Sequence, residues 1–281
     1  MGELGWRTGR NGFSLNGEGP NHTESSVLDF EAHYAMRRMV QFGELTYREI
    51  RQRADEGCLA LVPTGCTEQQ GPHLPVSFDS WLVETIACAA AEEATRAYGI
   101  CVLVLPTLPF GPTSEHRAFG SGYIDIPRDL HAAMVGHVLA SLVNQNFRRM
   151  VIWRGCGGHD LRQTVDRFNQ QHSGRALAFL PDLPYHAIWC RIGDPTNPGG
   201  HADAFATSLA LHLRPEMVRR NLISNPSQSP VDWSDPDLDF ARHSTSGVIG
   251  NPTTASAELG AALWEAAVND VARTLYDLAQ A

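Results

Sequence analysis

The chain has 281 residues, and its 22 basic side chains, all of them arginine, stand against 31 acidic ones for a formal charge of −9. With no lysine, neither Schiff-base catalysis by a lysine nor a P-loop lysine can operate. The acidic balance argues against a nucleic-acid or membrane partner, which would want a basic field, and 43% hydrophobic residues exclude a disordered chain.

Residues 1–27 are rich in Gly, Asn, Ser and Glu without periodicity and read as a flexible N-terminal extension, and residues 28–281 read as a single α/β domain. No run reaches ~18 apolar residues, so no transmembrane helix is expected. Met1 to Asn21 lack the apolar stretch of a secretory signal. The six cysteines form no C-x-x-C pair and read as reduced thiols of a cytoplasmic protein, with Cys58, Cys88 and Cys101 as small apolar core residues.

From Leu45 the pattern becomes regular. Thr46, with Glu49 three residues on, makes a capping box and predicts a helix through Ala54 that Gly57 ends. Cys58 to Pro63 is a continuous apolar run, the mark of a strand buried on both faces. A loop from Thr64 to Phe78 leads into a helix predicted over Ser80 to Tyr98. The unit repeats with a strand over Ile100 to Leu105, a long loop from Pro106 to Gly122 and a helix over Arg128 to Asn146. A strand over Met150 to Trp153, the loop Gly155-Cys156-Gly157-Gly158, a helix over Leu161 to His172 and a strand over Ala176 to Leu180 follow. Pro181 to Gly200 carries four prolines and reads as loop, and Ala202 to Leu213 and Ala255 to Ala279 read as helices. Strands alternating with helices give an α/β fold with a mostly parallel sheet. The polar loops follow strand C-termini, where open α/β sheets place ligands, so Thr64 to Asp79, Pro106 to Gly122 and Gly155 to Asp160 should meet at one site.

Glu68 and Asp79 stand at the two ends of a loop shaped by Gly and Pro. Such a pair suits a metal site or acid/base work. Equally, Asp79 caps the following helix and Glu68 is a solvated loop residue. The run Gly65-Cys66-Thr67-Glu68-Gln69-Gln70-Gly71-Pro72-His73-Leu74-Pro75, closed by Asp79, resembles the first motif of the creatininase (creatinine amidohydrolase) family, G-x-x-E-Q-H-G-P-H-L-P-x-x-x-D. Three further stretches resemble family motifs in family order: Gly111 to Phe119 (G-x-S-x-E-H-x-x-F), His201 to Ser208 (H-A-G-E-x-E-T-S) and Gly247 to Ser256 (G-V-x-G-D-P-x-x-A-S). The resemblance implies a three-layer α/β/α sandwich, a homo-oligomer and a small-molecule substrate. It also implies a divalent-metal amidohydrolase whose typical site holds two ions bridged by the Asp, with a metal-activated water as nucleophile.

The departures from the family pattern bear on the chemistry. Glu68, Asp79 and His201 are kept. The family's ligand His is Gln70 here, and an amide oxygen is a poor substitute for imidazole on a zinc-like ion. The family loop N-G-H-G-G-N aligns with Arg154-Gly155-Cys156-Gly157-Gly158-His159, putting Cys156 at a ligand His and His159 at an Asn. Ala204 and Ala206 replace two Glu, and Asp203 a Gly.

Three readings follow. In the first, one divalent ion (zinc, manganese or iron) survives on Glu68, Asp79 and either Cys156 or His159, leaving the open position that hydrolysis needs, with His201 as general acid. That reading gives an amidohydrolase acting on the C–N bond of a small cyclic amide, lactam or formamide-like substrate. In the second, the metal is absent and Glu68, Asp79, His116, His159 or His201 move protons, with Cys66 or Cys156 as nucleophile. Such an enzyme would form or rearrange a C–N bond in a biosynthetic pathway. In the third, the chain is an inactive homologue with a structural role. Arg154, Gln70 and Cys66 are the candidate substrate contacts, and a buried Arg154 would want a carboxylate from the protein or from an acidic substrate.

Overall fold

The structure is a computed structural model that describes residues 39–197 and 199–281. The expected extension over residues 1–27, and the first residues of the expected domain, lie outside the described residues.

The strands are β1 (Leu59–Thr64), β2 (Val102–Val104), β3 (Arg149–Arg154) and β4 (Leu177–Phe179). They form one sheet in the order β2-β1-β3-β4, parallel throughout. The helices are α1 (Tyr47–Asp55), α2 (Phe78–Tyr98), α3 (Arg128–Asn144), α4 (Arg162–Gln171), α5 (Tyr185–Ile192), α6 (Ala204–Leu213) and α7 (Ala257–Gln280). The capping box of Thr46 and Glu49 is formed at the start of α1.

The period of two in each strand divides the core. Leu59 and Leu61 join Val102, Val104, Val151 and Trp153 in one buried cluster, and Ala60 and Val62 join Leu103, Met150 and Ile152 in another. Side chains from α2, α5, α6 and α7 complete the first cluster, and side chains from α1, α3 and α4 the second. Both faces of the sheet are covered, which is why the strands read as continuous apolar runs. The result is the expected three-layer α/β/α arrangement. Among the described residues no helix is long and apolar enough to cross a membrane.

Two expectations are corrected. The stretch expected as loop, Pro181 to Gly200, contains α5. Its prolines bracket the helix, with Pro184 at the N-cap, and Tyr185, Ile188 and Trp189 present one face to the core. Cys58 and Cys101 are not reduced core thiols but a disulfide, with Cα atoms 4.7 Å apart. The parallel register sets Leu59 beside Val102, so the residues just before the two strands lie side by side. A pairing between residues 43 apart depends on that register, which no local pattern reveals.

The strand order positions the site. β2 lies on one side of β1 and β3 on the other, so the crevice of the fold opens above the C-terminal ends of β1 and β3. Two glycines let α2 press against that crevice. A Cβ on Gly65 would come within 2.5 Å of Ser80 Cα, and one on Gly155 within 2.9 Å of Val83. Asp79 is thereby carried to the crevice in the first turn of α2, while Ser77 takes the cap position.

Candidate active site

Glu68 lies four residues beyond β1 and is 1% exposed. Its backbone N–H donates to Val76 O at 3.0 Å and closes the loop on itself. Gln70 ties the two carboxylates together. Its Nε2 donates to Asp79 Oδ2 at 2.9 Å and to Glu68 Oε1 at 3.3 Å. Burial pushes the Glu68 carboxyl well above the usual carboxylate range, and the neighbouring Cys156 pushes it further. Asp79 is raised by burial and then by the charge of Glu68. Two facing carboxylates in so dry a place cannot both stay ionised alone, so the pair holds either a proton or a cation.

Two imidazoles face Glu68 Oε1, His116 through Nε2 at 3.4 Å and His201 through Nδ1 at 3.7 Å. Burial holds His116 at about 4 and His201 at about 3, so both are neutral near pH 7 and these contacts are not ion pairs. Gln69 sets their tautomers. Its Oε1 accepts from Gly71 N–H at 2.9 Å, which fixes the amide; its Nε2 then donates to His116 Nδ1 at 2.9 Å and Gly247 O at 3.3 Å. His116 therefore carries its proton on Nε2, aimed at Glu68. His201 Nε2 donates to Gln69 O at 2.6 Å, which leaves Nδ1 as a bare lone pair toward Glu68. Among the described residues, buried Glu68 Oε2 has no hydrogen-bond partner. Phe240 packs edge-on against both imidazoles, with centroids 4.9 and 5.1 Å away.

A second group lies behind the first. Strand pairing sets Thr64 opposite Arg154, and the same offset carries Cys66 toward Cys156. Cys66 Sγ is 3.0 Å from His159 Nε2, and Thr64 Oγ1 is 3.1 Å from His159 Nδ1. Cys66 and His159 are fully buried. The His159 ring fits only because Gly111 has no Cβ, which would collide with Nε2. Burial, then the neighbouring His131, hold His159 at about 3. The Cys66 thiol is pushed far up, first by its hydrogen bond with the Cys156 thiol and then by burial.

Among the described residues, donor atoms within 4.8 Å of one another form four groups: Cys66–Cys156–His159, Glu68–His116–His201, Cys66–Glu68–Asp79 and Glu68–Glu115–Cys156. The structure thus brings Glu68 and Asp79 together, but with Cys66 rather than with Cys156 or His159. His159 is pinned away by Thr64 and Cys66, and Cys156 meets Glu68 beside Glu115 instead. The Arg154 guanidinium spans the carbonyls of His159 and Pro181, each at 3.4 Å, and lines no part of the cleft. It braces the loop and, among the described residues, pairs with no carboxylate. Sequence reasoning missed Gln69, Thr64, Glu115 and Phe240; of these Gln69 and Glu115, each inside a quoted motif, carried a visible signal.

The cleft has two lobes, of about 380 and 470 Å³, and Glu68, Cys156, His186 and His201 line both. The first lobe is walled by Phe78, Leu183, Trp189 and Phe205. The second holds Glu115, Arg128, Asp235 and Trp233.

A divalent ion of the family's kind fits these residues. Glu68 and Asp79 offer anionic oxygens, and among the described residues one buried Glu68 oxygen has no hydrogen-bond partner. Gln70 joins such a set only by turning its amide to present oxygen.

Comparison with known proteins agrees with this architecture. Residues 43–275 match the creatininase family, described as creatinine amidohydrolase. The mycofactocin precursor peptide peptidase of Mycobacterium tuberculosis is 30% identical over 247 residues, 84% of this chain and 92% of that protein. The creatinine amidohydrolase of Pseudomonas putida is 26% identical over 257 residues, 84% of this chain and 96% of that protein. A solved creatininase superposes with a TM-score of 0.73 at 23% identity, covering 84% of this chain and 96% of its own. A creatininase described with Mn superposes with a TM-score of 0.73 at 22% identity, covering 85% and 98%. With the family matched over most of its length and the same fold in solved members, this chain belongs to the creatininase family of amidohydrolases.

Proposed function

We propose that the protein hydrolyses an amide C–N bond of an elongated substrate, with the acyl side in the apolar lobe, the amine side in the polar lobe and the scissile bond over Glu68. The observation that carries this reading is the position of Glu68 where the two lobes meet, with the His201 lone pair beside it and an Oε2 that has no hydrogen-bond partner among the described residues. Each lobe alone reaches the size of a small-molecule pocket, ~300–1,000 Å³. The cleft therefore favours a linear amide or short peptide over the small cyclic amide, lactam or formamide expected from sequence. A peptidase among the relatives supports the same direction.

A divalent ion held by Glu68 and Asp79 would supply Lewis acidity toward the scissile carbonyl and toward water. His201 Nδ1 takes the proton of the attacking water and, once charged, returns it to the leaving nitrogen, while its Nε2–H stays on Gln69 O. His116 turns its Nε2–H toward Glu68 Oε1, 3.4 Å away. A second reading, C–N chemistry without a metal, is favoured by Gln70, whose amide bridges the two carboxylates where a cation would otherwise balance them.

The test is hydrolysis of linear and cyclic amides by protein stripped of metal and reloaded with zinc, manganese or iron. Cleavage of a linear amide, restored by one of these ions and reduced about 10²–10⁴-fold in His201→Asn, is the expected result. Activity that survives chelation selects the metal-free reading, and activity on cyclic amides alone overturns the elongated substrate.

A further inference from the structure

We propose that Cys66, Cys156 and His159 form a thiolate centre for a soft divalent cation of the zinc class, adjacent to the Glu68–Asp79 pair but built from different donors. The donor atoms of the three residues lie within 4.8 Å of one another. Two sulfurs and one imidazole with a fourth position left open is a recognised zinc arrangement, and thiolates select soft ions over the hard ions that carboxylates prefer.

The fold prepares each ligand separately. The β1–β3 register carries Cys66 toward Cys156 at the strand ends, and the Gly155 N–H bond to Thr64 O, at 2.7 Å, holds the Cys156 loop there. His159 is oriented from behind. With Nδ1–H donated to Thr64 Oγ1 at 3.1 Å, its Nε2 lone pair points at Cys66, and such a partner on the far nitrogen is what a ligating histidine needs. Cys66 and His159 are sealed from solvent while Cys156 lines both lobes, so the open position faces the cleft. Glu68 shares a group with Cys156, so it stands at the rim of that position. On binding, the two thiols release their protons to solvent and both sulfurs and Nε2 bind the ion.

The test uses the full chain, stripped and kept reduced, titrated with cobalt(II). Saturation at about one thiolate-bound ion per chain, with an intense near-ultraviolet sulfur-to-cobalt absorption, is expected. That absorption should fall by half in Cys66→Ser and in Cys156→Ser, vanish in the double variant and persist in Glu68→Gln. Cobalt bound without this absorption, or an absorption unchanged in the double variant, overturns the centre. Because Cys66 is buried and its replacement can misfold, a second measurement uses the unaltered chain: alkylation of Cys156, followed by mass spectrometry, should slow at least tenfold with zinc. An unchanged rate overturns the centre. Glu68→Gln removes the proposed hydrolytic carboxylate but no sulfur, so failure of hydrolysis and failure of the thiolate centre read out separately.

Discussion

The chemistry of the site turns on which nitrogen of each imidazole carries a proton. Gln69 decides this for two neutral imidazoles, for His116 through a side-chain amide locked by Gly71 and Gly247 and for His201 through its backbone carbonyl. Gln69→Ala frees His116 to take the other tautomer and so turns a bare lone pair, rather than an N–H, toward Glu68 3.4 Å away. Turnover should then fall about 10–100-fold, the usual effect of losing an orienting partner, with substrate affinity little changed. Equal losses in turnover and affinity would show that Gln69 merely packs. His73 offers a cleaner pH experiment because it lies outside the carboxylate site, bonded through Nε2 to Thr207 at 2.8 Å. Burial lowers it from an ordinary 6.5 to about 4. The unfolded chain takes up this proton below 6.5 and the folded chain only near 4, so its contribution to stability is full above that window and lost as pH falls through it. The loss is at most about 3 kcal/mol. Urea midpoints should therefore drop less between about pH 7 and pH 5 in His73→Gln than in the parent. Parallel drops would refute it. Glu68, Asp79, His116 and His201 were legible in sequence because each sits in a motif of fixed spacing. Gln69 sits in the first of those motifs too, but its role was not legible, since it depends on a carbonyl 178 residues away.

At the scale of elements, the strands were legible because burial on both faces leaves an unbroken apolar run, and α1 because its capping box is local. What escaped was non-local. The register of β1 against its neighbours sets both the Cys58–Cys101 bond and the approach of Cys66 to Cys156, and nothing in either strand alone specifies it. α5 escaped for a different reason, because proline reads as a breaker whether it interrupts a helix or starts one. Two predictions belong here. The disulfide closes a span of 43 residues, so Cys58→Ala with Cys101→Ala should lower the unfolding free energy by about 3–4 kcal/mol. Denaturant midpoints under oxidising conditions check this, and a parent chain indifferent to reductant would contradict it. Gly65→Ala should cost about 1–3 kcal/mol, because the added methyl would sit 2.5 Å from the Ser80 backbone and force α2 off the crevice. The same shift moves Asp79, so activity should fall further than stability does.

For the whole molecule, the strand order places one crevice above β1 and β3, and the segment that carries Trp233 and Phe240 covers part of it. These two aromatics pack at 90° with centroids 5.8 Å apart, yet they stand at different depths. Phe240 is buried against both imidazoles, whereas Trp233 is 55% exposed and walls the polar lobe. Their roles should separate accordingly. Trp233→Ala removes substrate contact made equally before and during reaction, so KM should rise about tenfold with kcat nearly unchanged. Phe240→Ala admits water beside His116 and His201 and loosens both rings, so kcat should fall with KM little altered. Steady-state kinetics on one linear amide distinguishes them. If both variants changed only KM, Phe240 would belong to the substrate wall, and the sealing of the imidazoles would rest on the rest of the cleft.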